Sequence, residues 1–308
     1  MSEMPEPAAE AAWAPWLDPR GTPFDPDDGE AYAAWRARKL AAAPAAVEDL
    51  VVPLADPSAP GAAEREALHH CLARANMAVY RAPPDTDGRA AVHGVGAAFG
   101  LHRLDPNMLS DSDGLTPLAV ASEGTRSRYI PYTDKPIRWH TDGYYNTPER
   151  QIRGLILHCV RPAGSGGENA LRDPEMAYIR LRDRAPALAR ALMRPRAMTI
   201  PGNDDPEADD RPDRAGPVLA VDPHSRRLHM RYTARTRNVI WDPDPAVQEA
   251  AAALRELLDE SADRFVHRLA PGEGLICNNV LHTRERFTDS GPGRLVLRAR
   301  YYDRCAGT

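Results

Sequence analysis

Apolar positions in the first third of the chain recur at helical spacing, and from about Arg126 onward the pattern shortens to that of strands. The spacing predicts a helix over 29–43, with Tyr32, Trp35 and Leu40 on roughly one side. A second helix is expected over 62–76, ahead of the short apolar strand Met77-Ala78-Val79-Tyr80, and a third over 88–99. The later expected strands are 129–132, 137–141, 152–160, 218–221, 227–232, 274–281 and 294–302. Two helices interrupt them. Asp173-Pro174 and Asp244-Pro245 each read as a cap followed by proline at the first helical position, the first helix running toward Leu192 and the second through Val247, Ala250, Leu254 and Leu258. Residues 1–28 show no periodicity and read as a loosely held arm, and the polar stretch 201–217 reads as a lid or a solvated insertion.

The 308 residues, 43% of them hydrophobic, suffice for a substantial core and exclude a peptide stapled by cross-links. With 39 basic against 44 acidic side chains, interspersed rather than blocked, a nucleic-acid partner is not expected. No stretch approaches the ~18 apolar residues of a membrane span, and Met1–Pro7 has no basic segment with an apolar run behind it. The expectation is a cytoplasmic protein with a small-molecule substrate and no membrane partner, with self-association into a homo-oligomer left open. Cys71, Cys159, Cys277 and Cys305 are scattered without metal-site spacing and read as buried free thiols. Only Lys39 and Lys135 are lysines, so a single arginine carries little information here.

The densest chemistry lies in Arg138-Trp139-His140-Thr141-Asp142-Gly143-Tyr144-Tyr145. On a strand reaching Asp142, residues two apart share a face, so His140 and Asp142 project together. An imidazole and a carboxylate side by side supply two thirds of the 2-His-1-carboxylate triad, which leaves three positions of an octahedral ion open. A buried or surface histidine of no such role explains His140 equally well on that motif alone. A second segment, Gly274-Leu275-Ile276-Cys277-Asn278-Asn279-Val280-Leu281-His282, carries a histidine at the end of an apolar strand, where sheet closure would bring a third ligand. His158, a rival because it is also on a strand, reads as a core residue or a support of the site, and Asn278 and Asn279 as turn residues or as supports for His282. In the third segment, alternation puts Arg294, Arg298 and Arg300 on one strand face, either in water or facing anions.

His140-x-Asp142, the distant His282 and Arg294 twelve residues beyond it resemble the Fe(II)/2-oxoglutarate-dependent dioxygenases of the taurine dioxygenase-like (TauD/TfdA) branch. Gly166-Gly167-Glu168-Asn169 is similar to that branch's Gly-Gly-acid-Thr segment, and the likeness covers roughly residues 60–303. The resemblance implies a mainly β fold with flanking helices (α+β) around a double-stranded β-helix, the jelly roll of cupins. It would occupy 46–308, after an arm and helix over 1–45. It implies Fe(II) held by His140, Asp142 and His282 as the catalytic centre, with 2-oxoglutarate and O2 as further reactants. Arg294 would bind the cosubstrate's distal carboxylate, assisted by Asn169, and Arg298 would face cosubstrate or substrate. Tyr144 and Tyr145 would line the substrate pocket. The implied reaction hydroxylates a small polar molecule, such as an amino acid, a derivative or a sulfonate, with release of succinate and CO2. Desaturation or demethylation could run on the same residues. Asp142 argues against a halogenase, and the absence of histidine from Leu109–Asp113 argues against taurine itself. Asp111 and Asp113 beside the arginines suggest a zwitterion. A metal-binding cupin-like barrel without turnover and a metal-dependent hydrolase are the alternatives.

Overall fold

A computed structural model describes residues 16–107, 109–202, 211–235, 239–260 and 262–308, which divide into two compact units. The larger comprises Lys39–Tyr144, Arg150–Asp173 and 262–308. It holds a six-stranded sheet in the order Val51–Pro53, Met77–Arg81, Glu273–Cys277, Gly154–Arg161, Leu295–Tyr301, Thr116–Leu118. A four-stranded antiparallel sheet follows the order Phe265–His267, Asn169–Arg172, Leu281–Arg284, Ile137–His140. Leu68 and Leu72 of helix Ala62–Ala75 and Val92 and Val95 of helix Gly88–Ala98 share one buried cluster with Val79, Ile156, Ile276 and Val296. Burial of such side chains contributes about 1.5–3 kcal/mol each, which holds the two helices on the six-stranded sheet.

The other unit, within 16–38, Tyr145–Glu149 and Pro174–Glu260, is largely helical, with a three-stranded sheet and a separate strand pair, Leu219–Val221 with Leu228–Met230. Mixed helix and sheet is thus the observed class. Among the described residues no helix is long and apolar enough to cross a membrane. All four cysteines are free and buried.

Helices form close to where the spacing places them: Gly29–Ala42, Ala62–Ala75, Gly88–Ala98 and Pro245–Asp259, the last capped by the Asp244 carboxylate accepting from Ala246 N at 2.8 Å. Four expectations need correction. The stretch 129–132 is no strand: Ile130–Tyr132 forms a 3-10 turn, closely following another over Thr125–Arg128, because Pro131 has no N–H to give a ladder. The helix expected to run to Leu192 breaks into Pro174–Arg184 and Pro186–Leu192, since Pro186 drives Ala185 out of the helical region (φ −166°, ψ 129°). The run 274–281 is two strands in two different sheets, separated at Asn278-Asn279, where Asn279 takes a left-handed φ of 50°. The arm is not loose over 16–28: Phe24 is buried edge-on against Trp35 and Tyr178, and Trp16 stacks on His229. Isolated aromatic anchors hold it despite its polar composition. Residues 1–15 of that arm lie outside the described residues, as do 203–210 of the proposed lid, whose far end, Arg214–Gly216, is a strand paired with Met198–Ile200.

Candidate active site

The antiparallel register sets His282 directly opposite His140, with ring centroids 4.1 Å apart. His140 Nδ1 lies 2.9 Å from Arg138 O, and His282 Nδ1 lies 2.9 Å from Val280 O. A carbonyl oxygen can only accept, so each Nδ1 carries a proton and donates it, which leaves Nε2 as the ring nitrogen turned to the cluster. The strand stops at His140 rather than reaching Asp142, which stands in the turn completed by Gly143 at φ 67°. The carboxylate is nonetheless brought in: Asp142 Oδ1 is 3.4 Å from His140 Nε2 and 3.8 Å from His282 Nε2. One ligand atom from each residue fits within a sphere of contacts no wider than 4.8 Å, and no other such cluster occurs among the described residues.

Electrostatics ready the cluster for a cation. Burial alone would raise the Asp142 pKa, but the Arg298 guanidinium, with Nη1 3.2 Å from Oδ2, and then the His140 contact hold it well below the usual carboxylate range. Burial, reinforced by neighbouring His140, pushes His282 down to about 4, against the pull of Asp142. At neutral pH the site therefore offers an ionised carboxylate beside a neutral His282. Two imidazole nitrogens and one carboxylate oxygen on one side of a point form the donor set that suits a divalent non-haem metal with open positions.

A narrow cleft lies in the same unit, lined by Gly166, Gly167, Asn169, Cys159, Arg268 and Arg294 among others. Arg294 is only 7% exposed, and burial lowers its pKa, so its guanidinium is a desolvated cation set over the Phe287 ring at 5.3 Å. Gly166 and Gly167 both have positive φ, at 72° and 79°. A Cβ on Gly167 would stand 3.8 Å from Arg294 Nε and narrow the approach to it. Asn169 Nδ2 donates to Thr283 O at 2.7 Å, which ties this wall of the cleft to the residue after His282.

The structure thus brings His140, Asp142, His282 and Arg298 together, and Arg294 with Asn169 at the cleft. Tyr144 and Tyr145 follow in the turn, both half-buried, and the Arg211 guanidinium sits 5.6 Å over the Tyr145 ring. Arg300, the third arginine of the strand, pairs with Asp105. His158 is a core residue, 3.0 Å from the Tyr80 hydroxyl. The sequence reading passed over Arg268, which brings a second guanidinium to the cleft; no spacing marks it, because it precedes a different strand. It also passed over Arg284, whose buried guanidinium donates to Pro131 O at 3.0 Å and Thr133 O at 2.7 Å on the approach to the His140 strand. Asp111 and Asp113 both face Arg89, and Asp111 also Arg126, so that loop is a balanced rather than an acidic surface.

A model of the taurine catabolism dioxygenase TauD, TfdA family matches residues 36–300. The chain belongs to that family. Within it, this TauD/TfdA member is 33% identical over 174 residues to a uridine-5'-phosphate dioxygenase of Amycolatopsis sp, a match taking in 53% of this chain and 60% of that enzyme. A uridine-5'-phosphate dioxygenase of Streptomyces sp is 30% identical over 206 residues, 63% of this chain and 72% of the enzyme. Among solved structures, an asparagine oxygenase in complex with Fe(II), 2S,3S-3-hydroxyasparagine and succinate superposes with a TM-score of 0.59 at 20% identity, over 95% of this chain and 89% of its own. The non-heme iron oxygenase OrfP, in complex with Fe and alpha-ketoglutaric acid, does so with a TM-score of 0.57 at 16% identity, over 79% of this chain and 80% of its own. At these identities the two structures speak for a shared fold.

Proposed function

We propose that this TauD/TfdA family member is an Fe(II)/2-oxoglutarate-dependent dioxygenase that hydroxylates a small polar substrate. The observation that carries the reading is the cross-strand pair His140 and His282, each with its Nε2 turned to Asp142 Oδ1 within 3.8 Å. Those three residues would hold the iron. When bound, iron with 2-oxoglutarate and O2 supplies the oxidising chemistry, the cosubstrate leaving as succinate and carbon dioxide. The Nδ1 hydrogen bonds to Arg138 O and Val280 O fix both imidazole planes. Arg298 keeps Asp142 ionised and is available to a ligand at the same face. The Arg294 guanidinium would clamp a carboxylate by two parallel hydrogen bonds, and its burial excludes competing water. Asn169 is held beside it through Thr283 and would assist, as would Arg268. Tyr144 and Tyr145 are the proposed substrate contacts. The six- and four-stranded sheets are read as the two faces of a double-stranded β-helix.

The balanced Asp111 and Asp113 loop does not single out a zwitterion. The names of the relatives make uridine 5'-phosphate and free amino acids the first substrate classes to try. The experiment is anaerobic binding of Fe(II) and 2-oxoglutarate, read by the weak visible charge-transfer band of the chelate, in wild type, His140→Ala and Arg294→Ala. The band is expected in wild type and absent in both variants, and substrate is then sought by succinate release. A folded, iron-loaded wild type without the band would overturn the reading.

A further inference from the structure

The adjacent asparagines at the break between the two sheets act in opposite directions. Asn278 faces away from the metal cluster: its Nδ2 donates to Asn76 Oδ1 at 3.1 Å and Thr308 Oγ1 at 2.9 Å, and its Oδ1 accepts from Cys305 N at 3.1 Å. Its backbone N donates to Asn76 O at 2.8 Å, so the turn is anchored from behind. Asn279, 3% exposed, faces the cluster. Its Oδ1 accepts from Asp142 N at 2.8 Å, while its Nδ2 donates to Asp142 O at 2.9 Å and to Ile152 O at 2.7 Å. Both amide hydrogens and the amide oxygen are engaged, two of the three bonds being to the main chain of a single residue.

That residue needs holding. The sheet ladder ends with the His282 and His140 pair, and Asp142 lies beyond it in a turn. The ladder that sets the two histidines therefore does not set the carboxylate. Asn279 stands three positions before His282 on the same run of chain, so its amide fastens the peptide groups of Asp142 to the base of the His282 strand. A left-handed turn residue could as well be glycine, which adopts φ 50° without strain but has no amide to offer. We propose that Asn279 is a positioning residue for Asp142, acting through the Asp142 backbone to place its carboxylate against the two histidines. This rests on the reading that His140, Asp142 and His282 hold a metal. It departs from the sequence expectation, in which the asparagines are either turn residues or supports for His282.

The test is a double-mutant cycle on the full chain, with Ni(II) affinity measured by chelator competition and folding followed by circular dichroism. Asn279→Gly keeps the turn and removes the amide. It is expected to weaken Ni(II) binding about 10- to 100-fold when Asp142 is present, the range seen when supports of metal ligands are removed. In an Asp142→Ala background, where only the histidines bind, the same change is expected to alter affinity by less than about twofold, since uncoupled changes add within a few tenths of a kcal/mol. Equal losses in both backgrounds would mark Asn279 as merely structural and overturn the proposal, as would wild-type affinity in Asn279→Gly. If Asn279→Gly does not fold, Asn279→Asp replaces it in the cycle, keeping the acceptor for Asp142 N–H and losing both donors. Wild-type affinity unchanged by Asp142→Ala would overturn the metal reading itself, a result distinct from a lost Asn279 effect.

Discussion

Arg298 Nη1 lies 3.2 Å from Asp142 Oδ2, while Asp142 Oδ1 faces the two histidines, so one carboxylate is shared between a cation of the chain and the place for a metal. Both side chains are nearly buried. Removing the guanidinium leaves a carboxylate without its nearest counter-charge, at a cost of about 3 kcal/mol. Arg298→Met should therefore lower the stability of the metal-free protein by about that much. The Ni(II)-loaded variant should lose less, because the bound ion replaces the missing charge. Urea melts of both proteins with and without Ni(II) measure the difference; equal losses in the two states would contradict it.

Arg294 should matter to the cosubstrate and not to the metal. Its desolvated guanidinium is the proposed anion site of the cleft. Arg294→Ala is expected to raise the KM for 2-oxoglutarate about 100-fold, close to 3 kcal/mol for a lost buried charge pair. Ni(II) affinity should stay within about twofold. Arg294→Lys should recover only part of the loss, since an ammonium offers no planar fork. Titration of each variant with metal and then with cosubstrate separates the two effects.

Acid should destabilise the metal-free protein in a defined window. Burial lowers His282 to about 4, with help from His140, and burial likewise lowers His158 to about 4, from an ordinary 6.5. Between pH 6.5 and 4 the unfolded chain binds protons that the folded chain does not, so stability rises with pH through that window and is lost as pH falls. Each group contributes a slope of up to about 1.4 kcal/mol per pH unit. Urea melts at pH 7 and pH 4.5 should show the loss, and His158→Gln should remove about half of this histidine contribution. An unchanged acid loss in His158→Gln would refute the assignment of His158.

Lys39, one of only two lysines, is 6% exposed, with Nζ 2.6 Å from Asp173 Oδ2; Asp173 Oδ1 accepts from Asn76 Nδ2 at 2.9 Å. Breaking one side of such a buried pair costs about 3–5 kcal/mol. Lys39→Met should lower the Tm accordingly, and the double variant Lys39→Met with Asp173→Asn should regain part of it. Calorimetry of the two variants checks this; a double variant worse than the single would show that Lys39 is not the partner that matters.

Much of the local structure was legible because local physics decides it. Asp244-Pro245 marks a helix start wherever it occurs, and the apolar runs at 77–80 and 152–160 are strands because both faces are covered. Three of the errors fall where a single residue outweighs a pattern, at Pro131, Pro186 and Asn279, and the fourth where a few aromatic anchors hold a polar arm. Of the candidate site, His140, Asp142, His282 and Arg294 were legible through side-chain chemistry and order along the chain. Arg268, Arg284 and the Asn279 bonds to Asp142 were not, because each acts on backbone or cleft atoms supplied by distant segments.

The sequence by itself determined which chemistry is available: two imidazoles, a carboxylate and a run of arginines, carried on segments whose alternation and capping dictate strands and helices. Only the tertiary structure decided where those groups meet. Strand register put His282 opposite His140, a left-handed Asn279 moved the chain from one sheet to the other, and an amide held Asp142 where no ladder reaches it. Register, handedness and backbone hydrogen bonding are settled by burial and pairing over the whole fold, and no local pattern of residue types encodes them.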